Sequence, residues 1–237
     1  MQIAGSTALV TGANRGLGRS LVAALLDGGA ARVYATARDT SALPEHPALT
    51  ALGLDITDPG SVAAAAAAAT DVDLLVNNAG ISTGGGILDA ESLVRREMET
   101  NFFGTLAVSR AFAPVLAANG GGALLNCLSV LSWLSLPNQG GYGAAKAAAW
   151  SATNALRIEL HGQKTQVTGL LMAYIDTDMT AGLPAGTPKS SPEEIAALAL
   201  RGVEEGAAEV YADEVTRQVH ARLSGPVEEI YPQLAGA

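Results

Sequence analysis

The chain has 237 residues and a formal net charge of −9, and 49% of its residues are hydrophobic, enough for a core without staples. This length suits one α/β domain over residues 1–237. The acidic balance argues against a nucleic-acid partner, because nucleic-acid-binding surfaces are normally basic. The single cysteine, Cys127, excludes an internal disulfide and fits a reducing cytoplasm. Without a signal-peptide pattern or an apolar run of about 20 residues, we expect a cytoplasmic protein with no membrane partner.

Apolar strand-like runs alternate with helical runs along the chain. This alternation predicts a Rossmann-like, doubly wound parallel sheet of about seven strands with helices on both faces. The predicted strands cover 7–11, 32–37, 50–54, 74–77, 123–128, 166–171 and 209–211. The predicted helices cover 17–27, 61–69, 91–117, 142–161, 192–205 and 213–223.

A glycine-rich turn follows the first predicted strand, with the sequence GANRGLG over 12–18. Its glycines allow a tight turn and let backbone N–H groups approach a pyrophosphate at the N-terminus of the next helix. The spacing differs from the G-x-G-x-x-G pattern, and the turn alone would equally suit an ordinary strand-to-helix loop. The strand–turn–helix context favours a dinucleotide site.

Tyr142 and Lys146 stand four residues apart in a predicted helix, so they share one face. A nearby ammonium favours the phenolate, and we expect it to lower the tyrosine's pKa from its usual value of about 10. A tyrosine tuned in this way can exchange a proton near neutral pH, as carbonyl reduction requires. Ser129 lies thirteen positions before Tyr142.

The chain resembles the short-chain dehydrogenases/reductases from about residue 5 to residue 180. The resemblance rests on motifs in the family's order and spacing, namely TGANRGLG at 11–18, LDITD at 54–58, NNAG at 77–80, Asn101, Ser129, Tyr142 with Lys146, and DTDM at 176–179. It implies hydride transfer between a nicotinamide cofactor and a small carbonyl or alcohol substrate. Family members are usually dimers or tetramers built on the helices that bear Asn101 and Tyr142, which implies a homodimer or homotetramer.

The resemblance assigns four catalytic residues. Tyr142 is the general acid or base, Lys146 lowers its pKa and binds the ribose hydroxyls, and Ser129 holds the substrate oxygen. Asn101 would hold a water that links Lys146 to solvent. The residues alone leave plainer readings open: an interfacial tyrosine with a solvated lysine, a turn-capping serine with two other serines nearby, and an exposed helical asparagine.

The end of the second predicted strand bears on cofactor choice. Ala37 stands where NAD-dependent family members carry an acidic residue, and Arg38 follows it. Arg15 sits inside the glycine turn, and two guanidinium groups can grip a 2′-phosphate with charge-assisted bonds. NADP(H) is therefore favoured over NAD(H), although Asp39 adds a negative charge and both arginines could be solvated.

The resemblance extends the cofactor site along the rim of the sheet. It implies that Asp55 contacts the adenine, with a helix cap or turn as the plainer alternative, and that Thr177 bonds the nicotinamide carboxamide. The full predicted cofactor set is Gly12, Asn14, Arg15, Gly16, Leu17, Gly18, Arg38, Asp55, Ile56, Asn78, Ala79, Gly80, Tyr142, Lys146, Ile175 and Thr177.

The predicted substrate pocket is apolar, which suggests a ketone or aldehyde of the same character. Its predicted lining is Ser129, Trp133, Tyr142, Tyr174, Met179 and Leu183. The loop at about 178–191 is expected to be mobile and, being short, to leave the site rather open. Met172 and Ala173 stand where the family has a Pro-Gly pair, so we expect a different local backbone path. The scattered His46, His161 and His220 suggest no metal site.

Three other functions are compatible with parts of this sequence. An NAD-dependent alcohol dehydrogenase would differ only in cofactor and direction. A non-catalytic NADP(H)-binding regulator would have no need of all four catalytic residues. A relative acting on nucleotide sugars would need more chain after the sixth strand than is present.

Overall fold

A computed structural model describes residues 1–234 and contains one seven-stranded sheet. The strands are Thr7–Val10 (β1), Arg32–Ala37 (β2), Leu49–Gly53 (β3), Leu74–Asn77 (β4), Ala123–Cys127 (β5), Gln166–Leu171 (β6) and Glu209–Tyr211 (β7). All neighbouring strands pair in parallel, in the order β3-β2-β1-β4-β5-β6-β7. The predicted Rossmann-like class is confirmed, and the strand bounds differ from the prediction by one residue at most.

The helices connect these strands and cover both faces of the sheet. They are Gly16–Asp27 (α1), Pro59–Ala68 (α2), Glu91–Met98 (α3), Thr105–Ala118 (α4), Gly140–Glu159 (α5), Pro192–Glu204 (α6), Glu214–Arg222 (α7) and Val227–Ile230 (α8). Pro59 and Pro192 each open a helix, directly after Asp58 and Ser191, whose side chains accept hydrogen bonds from backbone N–H groups of the first turn. A proline at the first helical position loses no intrahelical bond.

The core divides into two layers because strand side chains alternate between the faces of the sheet. In β1, Ala8 and Val10 pack into the layer covered by α1 and α6. Leu9, between them, packs into the layer covered by α2, α4 and α5. The same alternation separates Leu125 from Leu124 in β5. Strands β1 and β5 are therefore covered on both faces, which explains why their sequences are mostly apolar without a polar alternation.

The prediction of one helix over 91–117 is corrected by the structure. The chain is α-helical in α3, π-helical over Glu99–Gly104, and α-helical again in α4. The wider turn brings Gly104 against Ile56, where an added Cβ would lie 2.9 Å from the isoleucine side chain. It also turns the Asn101 side chain onto the backbone of Ile81. Apolar periodicity does not distinguish α from π turns, and π turns are frequent at functional sites.

The helical run Glu91–Ala118 is long and apolar enough to cross a membrane, judged by length and composition alone. In this fold its Val108, Phe112 and Leu116 are fully buried. They pack in the same layer as strand residues Leu75 and Leu124. The apolar side of α4 is thus used by the core of the domain.

Gly122, just before β5, generates a stability prediction. Its φ is +77°, and an added Cβ would lie 2.0 Å from the Asp73 carbonyl oxygen. Because the substitution combines left-handed strain with a backbone clash, we expect Gly122→Ala to lower the free energy of unfolding by about 3 kcal/mol or more. Urea denaturation measures the loss.

Gly120→Ala is the matched control. Gly120 also has a positive φ, +92°, but an added Cβ would meet nothing within 4 Å. We expect it to cost only the strain, about 1–2 kcal/mol. Equal losses in the two variants would contradict the steric account of Gly122.

Candidate active site

A cavity of about 1250 Å³ opens at the carboxyl edge of the sheet. Its wall includes every residue of the predicted cofactor set, from the glycine turn to Thr177. Ser129, Tyr174, Met179 and Leu183 also line it. Of the predicted site residues, only Asn101 and Trp133 are absent from the cavity wall.

The glycine turn is joined to the end of β4 by hydrogen bonds. The Thr11 hydroxyl oxygen accepts from the backbone N–H groups of Asn78 (2.9 Å) and Ala79 (3.0 Å). The Asn78 side chain donates in return to the carbonyl oxygens of Thr11 (2.9 Å) and Gly12 (3.1 Å). This contact leaves no room for a side chain at Gly18, where an added Cβ would lie 2.1 Å from the Gly12 oxygen.

The residues of the turn fit the dinucleotide that the fold implies. Helix α1 begins at Gly16, after Arg15 in extended conformation, with no side-chain cap and no acidic residue in its first turn. Its first backbone N–H groups are therefore available to an anion, and the helix dipole favours negative charge there. Gly16 itself has a φ of +51° and approaches Thr177, which would lie 3.2 Å from an added Cβ.

Both arginines predicted to bind a 2′-phosphate line the cavity. Arg38 is exposed and follows the buried Ala37. Arg15 forms a 3.3 Å ion pair with Asp178, in which both side chains are at least 70% exposed. An exposed pair of this kind contributes little, so the Arg15 guanidinium can exchange this partner for a phosphate. Asp39 accepts a hydrogen bond from the N–H of Ser41.

Asp55 and Asp58 have different structural roles, one in a turn and the other at a helix cap. One oxygen of Asp55 accepts from both the backbone N–H and the hydroxyl of Thr57. These bonds hold the pKa of Asp55 below its usual value, with a smaller contribution from the charge of Arg38. Asp58 caps α2 by accepting from Gly60. Asp55 therefore forms a turn at the cavity wall rather than the helix cap.

Burial governs the ionisation of Tyr142. It raises the pKa of Tyr142 to about 12, while the neighbouring Ser129 hydroxyl opposes the rise and the negative charge of Glu97 adds to it. The predicted lowering of this pKa is therefore wrong for this structure. The Lys146 ammonium nitrogen lies 5.7 Å from the centre of the tyrosine ring. It is turned toward a backbone carbonyl rather than toward the phenol oxygen.

Lys146 is buried, with 6% of its surface exposed. Its ammonium group donates a 2.8 Å hydrogen bond to the carbonyl oxygen of Cys127, at the end of β5. Burial lowers the pKa of Lys146 to about 8. The lysine thus titrates much closer to neutrality than in water, which contradicts the plainer reading of a solvated neighbour.

Ser129 follows β5 and faces both a turn and the cavity. Its hydroxyl oxygen accepts from the N–H of Leu131 at 3.1 Å and so caps the short helix Val130–Ser132. Ser129 also lies close enough to Tyr142 to oppose the rise in the pKa of that tyrosine. Ser129 therefore does cap a turn, as the plainer reading of the sequence has it. The cap orients the Ser129 hydroxyl, which still lies beside Tyr142 in the cavity.

Asn101 is 1% exposed, so the reading of an exposed helical asparagine is wrong. Its side-chain oxygen accepts from the Ile81 N–H, and its side-chain nitrogen donates to the Ile81 carbonyl, each at 2.8 Å. Asn101 therefore fixes the segment that follows the NNAG motif. The water link to Lys146 stays a prediction.

Trp133 is placed differently from its prediction. Its indole packs against Trp150, Tyr211 and His220, with ring centres 6.3, 5.6 and 5.1 Å away. These residues come from α5, β7 and α7, and they draw the indole away from the main cavity into a neighbouring groove. Leu131, Leu134 and Leu136 line the cavity from the same segment.

The loop predicted to be mobile is tied at its base. Ile175 pairs with Ser190, and backbone bonds join Ser190 to Tyr174 and Asp176. Lys189 adds a 3.2 Å ion pair with Asp176. The tie fixes where the loop leaves and rejoins the cavity wall.

The Met172-Ala173 segment has its own supports in place of the Pro-Gly pair. The Met172 carbonyl accepts from the Val130 N–H at 2.9 Å. The Ala173 N–H donates to the Asp213 carboxylate at 2.7 Å, and Asp213 also caps α7. Asp213 is one residue that the sequence did not single out, and its position before a helix was the available signal. Glu97, four residues before Asn101, is another.

No group of three or more His, Cys, Asp or Glu side chains within residues 1–234 is arranged to hold a metal ion. Together, Ser129, Tyr142 and Lys146 place a hydroxyl pair and a buried cation in one cavity with an anion-binding turn.

Comparison with known proteins gives consistent matches. A profile of the short chain dehydrogenase family matches residues 6–187. Dehydrogenase/reductase SDR family member 7B of Bos taurus is 33% identical over 192 residues, which cover 73% of this chain but only 58% of that protein. The 3-oxoacyl-[acyl-carrier-protein] reductase of Vibrio cholerae is 32% identical over 192 residues, covering 77% of this chain and 79% of the reductase.

Among solved structures, a short chain dehydrogenase from Burkholderia cenocepacia in complex with NADP superimposes with a TM-score of 0.94. It is 39% identical, and the match covers 100% of both chains.

Replacing Lys146 by methionine is expected to stabilise the fold at neutral pH. Burial penalises the charged lysine, and the penalty is present in full below the folded pKa of about 8. Between about 8 and the ordinary 10.5, the folded protein releases its proton first, so wild-type stability rises with pH across that window. We expect Lys146→Met to gain on the order of 2 kcal/mol at neutral pH and to lose that advantage as the pH approaches the upper limit.

Urea unfolding at both ends of the pH window measures the difference. A variant that is less stable than wild type by the same amount at every pH would show that the bond to Cys127 outweighs the burial of charge.

Proposed function

Because the chain belongs to the short-chain dehydrogenase family, we propose that it is an NADP(H)-dependent oxidoreductase. It transfers a hydride between the nicotinamide and an apolar ketone or aldehyde, or the corresponding secondary alcohol. The observation that carries the proposal is that Ser129, Tyr142 and Lys146 share one cavity with the glycine turn. The reaction and the substrates of the whole protein are part of this proposal, because the match with the Bos taurus relative covers only 58% of that protein.

In the reductive direction, the bound cofactor supplies the hydride and this chain's residues manage the proton. Tyr142 donates its phenolic proton to the substrate oxygen, and its raised pKa keeps it in the protonated form at neutral pH. The Ser129 hydroxyl donates a hydrogen bond to the same oxygen as negative charge develops there. Lys146, held by the Cys127 carbonyl, keeps a positive charge beneath the tyrosine ring.

The preference for NADP(H) rests on charge at the ribose end of the cavity. The last residue of β2, Ala37, carries no carboxylate, and Arg38 and Arg15 line the wall together with the acidic residue Asp39. A 2′-phosphate would meet two guanidinium groups there. The related structure from Burkholderia cenocepacia, which is in complex with NADP, supports the same choice.

The substrate end of the cavity favours an apolar molecule. Leu131, Leu134, Leu136, Met179 and Leu183 all line it. The cation of the loop, Lys189, is paired with Asp176. A neutral ketone or aldehyde therefore matches this wall better than a carboxylate would.

The assembly we propose is a homodimer or homotetramer in the cytoplasm. The helices bearing the catalytic residues expose apolar side chains, with Phe103 50% and Ile158 79% exposed. A second copy that packs on these helices would cover them.

Purified protein is expected to oxidise NADPH in the presence of small aldehydes, aliphatic ketones or aryl ketones. Tyr142→Phe removes the proton donor but keeps the ring, so we expect kcat to fall on the order of 10³-fold while NADPH still binds. Steady-state kinetics and NADPH fluorescence measure the two quantities. Tight NADPH binding without turnover of any carbonyl would favour a regulator instead, and binding of neither nucleotide would overturn the assignment of the glycine turn.

Arg38→Asp is expected to reverse cofactor preference. The new carboxylate repels a 2′-phosphate and can accept from ribose hydroxyls, so kcat/KM for NADPH should fall about 100-fold while that for NADH is kept or rises. Arg201→Asp, with the same charge change on an exposed position of α6, is the control and should leave the ratio unchanged. An unchanged ratio in Arg38→Asp would contradict the phosphate-binding role.

A further inference from the structure

Glu97 is the only acidic side chain among the buried residues in the part of the chain that the structure describes. It lies in α3 with 1% of its surface exposed. Removing a carboxylate from water is costly unless its oxygens are well bonded. A buried acid therefore calls for an account of what it holds in place.

One oxygen of Glu97 holds the segment after the NNAG motif. It accepts from the backbone N–H of Thr83 at 2.6 Å and from the Thr83 hydroxyl at 3.0 Å. Asn101, one helical turn later, binds both backbone groups of Ile81. Two buried side chains on the same face thus hold Ile81–Thr83, and Ile81 and Ser82 line the cavity.

The other oxygen of Glu97 faces the first turn of α5. It has no hydrogen-bond partner, and it lies so close to Gly141 that an added Cβ there would be 2.3 Å away. Gly141 directly precedes Tyr142. The same carboxylate therefore contacts the cavity-lining segment on one side and the start of the catalytic helix on the other.

We propose that Glu97 is a positioning residue for Tyr142. Its carboxylate sets the spacing between the Ile81–Thr83 segment and the first turn of α5, and it places a negative charge near the phenol. This inference deepens the proposed function and depends on it, because it concerns the residue assigned as proton donor.

The charges around Tyr142 predict the direction in which its pKa should move when Glu97 is replaced. Lys146 from the same helix lies over the tyrosine ring, and Cys127 and Ser129 from the end of β5 and Glu97 from α3 also act on the pKa of the phenol. The Glu97 charge raises the pKa of Tyr142. Removing it should lower that pKa, so the fraction of protonated tyrosine should fall at a lower pH.

Glu97→Gln tests the proposal, because it removes the charge and keeps the shape. We expect kcat to fall about tenfold, as for a small displacement of a catalytic group, with the NADPH Kd within about twofold of wild type. The pKa of Tyr142, read from tyrosinate absorbance against matched Tyr142→Phe blanks, should fall by about 0.5 unit. Glu91→Gln, the same change at an exposed position of α3, should leave all three quantities unchanged.

A Glu97→Gln enzyme with wild-type kcat and a wild-type Tyr142 pKa would overturn the proposal. Loss of kcat at an unchanged Tyr142 pKa would also overturn it, since a purely structural role predicts that result. If Glu97→Gln does not fold, Thr83→Val provides a second test, because it removes only the hydroxyl bond to the Glu97 carboxylate. It should lower kcat about threefold at an unchanged Kd for NADPH. A wild-type kcat in Thr83→Val would overturn the proposal. If the wild-type protein itself shows no turnover, the proposed oxidoreductase function fails. That outcome differs from an active wild type with an unaffected Glu97→Gln variant, which contradicts only the positioning role.

Discussion

The hydrogen bonds that join Thr11 to Asn78 and Ala79 fix the geometry on which the rest of the cavity depends. They tie the ends of β1 and β4, the two central strands where the chain crosses from one half of the sheet to the other. Helices leave these strands on opposite faces, so a crevice forms at this point in any such sheet. Positions 12 and 18 therefore require glycine, because a side chain at Gly12 would collide with the backbone of Ala79 and one at Gly18 with the carbonyl oxygen of Gly12.

A second constraint is the burial of two charged residues of opposite sign near Tyr142. Lys146 donates a hydrogen bond to the backbone carbonyl of Cys127, and one oxygen of Glu97 accepts from the backbone N–H and the hydroxyl of Thr83. Neither is bonded to the other: the Lys146 ammonium lies over the tyrosine ring, and the charge of Glu97 raises the pKa of Tyr142. In a poorly hydrated site the fields of such charges are strong. The tyrosine's acidity is therefore set by tertiary packing as much as by its helical neighbour.

This distinction explains what could be predicted from the sequence. Strand ends, the glycine turn and the placement of Ser129, Tyr142 and Lys146 follow from local pattern and family spacing, and the structure brings them into one cavity. The π turn around Asn101 is not predicted from the sequence because its six residues are too few to show a change of period between the α-helical runs on either side. The direction of the Tyr142 pKa shift was missed because desolvation depends on distant residues. Trp133 was misplaced for the same reason, since β7 and α7 supply its neighbours.

The aromatic cluster around Trp133 also determines what optical spectroscopy can report on this protein. The chain has two tryptophans, and both stand in that cluster, with ring centres 6.3 Å apart. Intrinsic indole emission therefore comes from one corner, where α5, β7 and α7 meet, and the β1–β3 half of the sheet contributes none. A fluorescence melting curve follows that corner, whereas far-ultraviolet circular dichroism follows all helices. Coincidence of the two curves would show that the corner unfolds together with the rest of the sheet.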